Sequence, residues 1–100
     1  MTVAADPEGI SAREILDFID LRNKRILEVG CGTGRITFPL AEYTEFITAI
    51  DPISDDIKLA REKTPEDLEG KIDFIAVGIE DFEIAEKTPL FDLCIFTWSL

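Results

Sequence analysis

Three glycines alternate with other residues in "EVGCGTG", where Gly30, Gly32 and Gly34 follow directly on the strand-forming run "ILEV". A loop of this kind lets backbone N–H groups approach a ligand closely, because no Cβ stands in the way. Its spacing is G-x-G-x-G, whereas the dinucleotide fingerprint needs the third glycine one residue later, where this chain has Arg35. A second marker stands about 20 residues further on. There Asp51 closes the apolar run "FITAI", and a carboxylate in that place can accept hydrogen bonds from both hydroxyls of a ribose. The other reading of Asp51 is a favourable negative charge at the start of a helix, ahead of Ser54. The glycine loop upstream favours the ribose. Glu28, directly ahead of the loop, and Glu80 and Asp81 in "VGIEDFE" bring further acids near strand ends. A pocket edged with acids suits hydroxyls, amines and cations better than bare phosphates.

Composition narrows the chemistry further. The 100 residues contain no histidine, which removes the commonest general base and the usual nitrogen metal ligand, so Ser-His and Cys-His hydrolases are excluded for these residues. Cys31 and Cys94 are not spaced as a C-x-x-C pair, and two cysteines do not make a zinc cage unaided, so no metal is expected. They read as free thiols of a reducing compartment. The net charge of −11, most of it in the second half, repels phosphate backbones and argues against nucleic acid as a partner. No apolar run approaches the roughly 20 residues of a membrane helix. The N-terminus "MTVAADPEGI" lacks the basic and apolar regions of a secretory signal, so a cytoplasmic location is expected.

The elements that must position these residues can be read along the chain. Ser11 and Glu14 are spaced as a capping box, with Ile10 and Ile15 as its hydrophobic staple. The helix they open runs to about Leu21, burying Ile15, Leu16, Phe18 and Ile19, and residues 1–22 form a helical lead-in. Strands are expected at 26–29, 46–50, 71–77 and 91–98. One helix is expected at 34–43, starting late or kinked because of Pro39. Another, capped by Ser54, is expected at 55–63, with Ile57, Leu59 and Ala60 as its apolar contacts. Near-continuous apolar strands alternating with helices indicate an α/β fold, a doubly wound, mostly parallel sheet covered on both faces. In such a sheet, ligands lie outside the carboxyl ends of the strands. Those ends hold Glu28 to Gly34, Asp51, residues 78–81 and Thr97 onward. Without repeats or a linker, residues 1–100 read as one domain.

With "EVGCGTG" followed by "AIDP", "VGIEDFE" and "FDLCIFTWSL", the chain resembles class I S-adenosylmethionine-dependent methyltransferases from about Ile26 onward. The resemblance implies a Rossmann-like fold and S-adenosyl-L-methionine as cofactor. It implies that Gly30, Cys31, Gly32, Thr33 and Gly34 cradle the methionine half, with Glu28 supporting the loop and reaching toward the amino group. Asp51 would hold the ribose, and Pro52 and Ile53 would lie against the adenine. Ile79, Glu80 and Asp81 fall where the family reads the adenine edge, and Thr97 ends the last strand beside them. The acid often found right after the third strand is replaced here by Gly78, which leaves Asp81 as the side-chain candidate at that edge. Three plainer roles stand beside these: Glu28 as a brace, Asp81 as a cap, Arg35 as a solvated charge. Trp98 reads equally as core or as substrate wall.

The family's sheet usually has seven strands, so this sequence reads as the cofactor-binding portion, truncated after about four strands. Its catalytic residues and methyl acceptor are unknown. The 91–98 strand would then be an apolar edge, open to pairing in a homodimer. The alternatives are a non-catalytic module that binds S-adenosylmethionine or S-adenosylhomocysteine, and a nicotinamide-dependent oxidoreductase, against which Arg35 argues.

Overall fold

Apolar runs without alternation become strands buried on both faces. In β2 (Arg25–Val29) everything from Ile26 onward is buried, and in β3 (Phe46–Asp51) everything from Ile47 onward. This computed structural model describes residues 2–4, 12–82 and 91–97. With β1 (Thr2–Ala4), β4 (Ile72–Ala76) and β5 (Leu93–Phe96), the strands make one five-stranded sheet in the order β1-β5-β2-β3-β4. Every pairing is parallel, with Leu27 opposite Thr48, Ala49 opposite Phe74 and Glu28 opposite Ile95. The fold is α/β and Rossmann-like, as expected.

The helices are α1 (Ala12–Phe18), α2 (Thr37–Ala41) and α3 (Ser54–Lys63). Ala12 and Ile15 of α1, Leu40 and Ala41 of α2, and Ile57 and Ala60 of α3 pack with Ile26, Ile47, Phe74 and Ile95 in one core. On the other face Leu27, Val29 and Ile50 are joined by Ile75, Cys94, Phe96 and the rings of Phe82 and Phe91. Helical cover was expected on both faces; the three described helices all share the first. Arg61 ties α3 to the sheet by donating to the Phe74 carbonyl at 2.6 Å.

Several expectations are corrected. The lead-in is not wholly helical, because Thr2–Ala4 forms β1 and pairs with β5. For that reason β5 is not an edge: β1 lies on one side and β2 on the other, so the expected dimer contact has no free strand there. α2 begins only at Thr37. Pro39 then falls in the first turn, where its missing N–H interrupts no helical hydrogen bond. Ser54 is the first residue of α3 rather than its cap, and no side chain caps that helix. Phe18 is 90% exposed and Leu59 44%, so neither belongs to the core. Between strands, short 3-10 turns form at Glu66–Leu68 and Ile79–Asp81. Ile10, Ser11 and Trp98 lie outside the described residues.

Ile95 is fully buried in the first core. Ile95→Ala is expected to lower the unfolding free energy in urea by about 2–5 kcal/mol, whereas Leu59→Ala stays within about 0.5 kcal/mol. Equal losses for the two would contradict this assignment of the core.

Candidate functional site

At the carboxyl ends of the strands the chain opens into a cleft of about 770 Å³, within the range of small-molecule sites. Four segments line it: the glycine loop after β2, the turn after β3 into α3, the turn after β4, and Thr97 after β5. Parallel strands bring these segments together because all of them end on the same side of the sheet.

The glycine loop is shaped by its backbone. Gly30 and Cys31 both donate to the Ile50 carbonyl, at 2.8 and 3.1 Å, which fastens the loop to the end of β3. Gly32 has φ +56, and a Cβ placed there would meet nothing within 4 Å, so the space above it is open. Gly34 differs: with φ +96, its Cβ position lies 2.7 Å from the Phe38 ring.

Asp51 is buried and holds two segments at once. Its Oδ2 accepts from the Gly32 N–H at 2.9 Å, and its Oδ1 accepts from the Ile53 N–H at 2.9 Å. A carboxylate oxygen offers two lone pairs, so each retains acceptor capacity. Both readings of Asp51 thus have a structural counterpart, since the Ile53 contact braces the start of α3 while the side chain lines the cleft.

Glu28 is fully buried beneath the loop. Thr37 donates to Oε1 at 2.5 Å and Thr97 donates to Oε2 at 2.6 Å. The carboxylate therefore clamps the start of α2 to the end of β5. It does not line the cleft, and its expected reach toward a ligand is replaced by these two hydroxyls. Burial pushes its pKa up, and the Asp51 charge adds to this, against the lowering effect of the two threonines and of Arg35. Cys31 lines the cleft and is also core; burial, with Glu28 and Asp51 nearby, pushes its thiol up, which suits packing rather than nucleophilic attack.

Of the residues singled out from the sequence, Gly30, Cys31, Gly32, Thr33, Asp51, Pro52, Ile53, Ile79, Glu80 and Thr97 are brought together on the cleft wall. Glu28 and Gly34 are buried and do not line the cleft, and Asp81 is exposed and does not line it either. Asp81 ends the 3-10 turn, and Glu80 is the acid facing the cleft there. Ile53 (54% exposed) and Ile79 (44%) offer apolar surface at two points of the wall. The sequence reading placed Gly78 at a strand end without a contact of its own, missed Asp56 and Val77, and gave Arg35 no role; all four line the cleft. The rule that ligands meet strand ends named Gly78; Val77 escaped it because the expected strand ran to residue 77, one residue past the end of β4.

Among the described residues, no helix is long and apolar enough to cross a membrane. No group of three or more His, Cys, Asp or Glu is placed to hold a metal ion among them.

A parallel α/β sheet with a glycine loop after one strand and an acid closing the next defines a Rossmann-like nucleoside-binding architecture. A family profile described as a methyltransferase domain matches residues 26–100, and the chain belongs to that family. It is 38% identical over 69 residues to a probable S-adenosylmethionine-dependent methyltransferase of Saccharomyces cerevisiae, covering 68% of this chain and 24% of that protein. To the mitochondrial ubiquinone biosynthesis O-methyltransferase of Mus musculus it is 31% identical over 77 residues, covering 75% and 20%. Among solved structures, phosphoethanolamine N-methyltransferase 1 of Haemonchus contortus, in complex with phosphoethanolamine and S-adenosylhomocysteine, matches with a TM-score of 0.72 at 26% identity, over 90% of this chain and 19% of its own. The chain spans a quarter or less of the length of these proteins. The nicotinamide-dependent alternative gives way to this family membership.

Glu28 yields a pH prediction. Its folded-state pKa is raised above the ordinary carboxylate value, chiefly by burial. Its contribution to stability is therefore fully present below the unfolded value and is lost as the pH rises through the folded one. Urea unfolding across this window is expected to show wild type losing stability relative to Glu28→Gln with increasing pH. A pH-independent difference would contradict the buried, raised carboxylate.

Proposed function

We propose that this chain supplies the S-adenosylmethionine-binding portion of a methyltransferase. The observation that carries the reading is Asp51: a buried carboxylate at the end of β3, fixed by two backbone donors, with acceptor capacity to spare on the cleft wall. Its free acceptor positions match the two hydroxyls of a ribose. The open space above Gly32 admits a ligand directly against the loop backbone, and Pro52, Ile53 and Ile79 supply apolar surface for a planar base.

When bound, the cofactor supplies a methyl group already activated by its sulfonium charge. The residues of this chain bind and orient. Asp51 accepts from the ribose hydroxyls, while the backbone of Gly30 to Thr33 lies along the methionine half. Asp51, Asp56 and Glu80 set a negative field that favours the cationic sulfur and ammonium groups. Positioning of this kind accounts for much of the rate in a transfer that needs little covalent help from the protein. The free thiols Cys31 and Cys94 support a reducing, cytoplasmic setting. The names of the relatives point to different acceptors, so none of those acceptors passes to this chain.

A second reading is binding without transfer: every role that the described cleft lining carries here is a cofactor contact, and none is assigned to an acceptor. Activity in the full-length protein separates the two.

Calorimetric titration of the 100-residue chain with S-adenosylhomocysteine is expected to show binding, and Asp51→Ala to weaken it at least about tenfold, the loss of one or more hydrogen bonds to a charged group. Absence of binding by the folded wild-type chain would overturn both readings.

A further inference from the structure

Arg35 stands apart in the cleft's charge inventory. Among the described lining residues, Asp51, Asp56 and Glu80 contribute carboxylates and Arg35 alone contributes a positive charge. It is exposed and directly follows Gly34 at the end of the glycine loop. Its charge is felt at Glu28, whose pKa it lowers against the effect of burial.

The backbone that carries Arg35 is fixed. Gly34 donates to the Cys31 carbonyl at 3.1 Å and accepts from the Phe38 N–H at 3.1 Å. The Phe38 ring fills the place a Gly34 side chain would take, and is itself seated edge-on against Phe74, 5.8 Å away at 72°. The Arg35 side chain thus extends from an anchored point on the loop wall. The apolar surface of Pro52, Ile53 and Ile79 belongs to the ends of β3 and β4 instead.

We propose that Arg35 is the carboxylate-docking residue of this cleft, taking the α-carboxylate of the cofactor's methionine half and so selecting nucleosides that carry an amino-acid tail. The proposal rests on the cofactor reading above. Three acids on the wall complement an ammonium or a sulfonium but repel a carboxylate, so a zwitterionic tail needs a cation to balance its acidic end. A guanidinium presents a planar fork of donors that pairs with a carboxylate through two parallel hydrogen bonds. A dianionic phosphate meets stronger repulsion from the same acids. An anionic group on the methyl acceptor has the same chemistry as the cofactor's carboxylate, and the choice of ligands separates the two sources.

The test is titration of the 100-residue chain with S-adenosylhomocysteine and with 5′-methylthioadenosine, which keeps the nucleoside and thioether but lacks the amino-acid tail. Arg35→Ala is expected to weaken S-adenosylhomocysteine about tenfold or more and to leave 5′-methylthioadenosine within about twofold, with Arg35→Lys recovering only part of the loss. Raising salt is expected to weaken S-adenosylhomocysteine more in wild type than in Arg35→Ala. An unchanged affinity for S-adenosylhomocysteine in Arg35→Ala overturns the assignment and leaves the acceptor as the remaining source of an anion. Equal weakening of both ligands overturns it too, as a structural effect on the loop. If the folded wild-type chain binds neither nucleoside, the cofactor reading itself fails, a result distinct from the other two.

Discussion

A single carboxylate joins the two loops that frame the cleft. Asp51 leaves the end of β3 with one oxygen on the Gly32 N–H and the other on the Ile53 N–H, so the glycine loop and the turn into α3 cannot move apart without breaking a charge-assisted hydrogen bond. Such bonds are stronger than neutral ones and cost more to leave unmade when buried. The same group faces the cleft. On the proposed reading, bracing and ligand contact become one role, because a carboxylate fixed by two backbone donors presents its remaining lone pairs in a constant direction.

Glu28 does the corresponding work one layer down. A carboxylate with no described cation in contact is costly to bury, and two short hydroxyl contacts from Thr37 and Thr97 offset that cost. In doing so they tie α2 and β5 to the strand that feeds the loop. The loop rests on this clamp, on the Gly30 and Cys31 contacts to Ile50, and on the Phe38 ring packed under Gly34. Its shape is set before any ligand arrives, which lowers the ordering cost of binding.

Much of this was legible in the sequence for local reasons. The glycine spacing, the acid closing β3 and the apolar runs are properties of neighbouring residues, and the structure puts them where strand-end logic requires. What escaped depends on distant contacts. β1 is three residues long, too short for any periodicity, and exists through pairing with residues 94–96. Thr37 and Thr97 carry no sign that they converge on Glu28. In α1 and the residue that follows it the inward stripe is Ala12, Ile15, Leu16 and Ile19; Phe18 points roughly 100° off its centre, the turn per residue of a helix. Hydrophobicity alone placed Phe18 in the core, and geometry takes it out. Arg35 reads in sequence as one more surface charge. Its meaning comes from the three acids that β3, α3 and the turn after β4 bring around the same cleft.

The central claim is that strand ends from distant parts of the chain make one nucleoside-binding cleft organised by Asp51. Backbone amide shifts of the nitrogen-15-labelled chain, followed during addition of S-adenosylhomocysteine, test it residue by residue. The account predicts saturable shifts concentrated in residues 30–35, 51–56 and 77–80, with the opposite end of the sheet, around Lys24, Arg25 and Phe46, unmoved. Shifts centred on the strand starts, or none at saturating ligand in a folded chain, would contradict it.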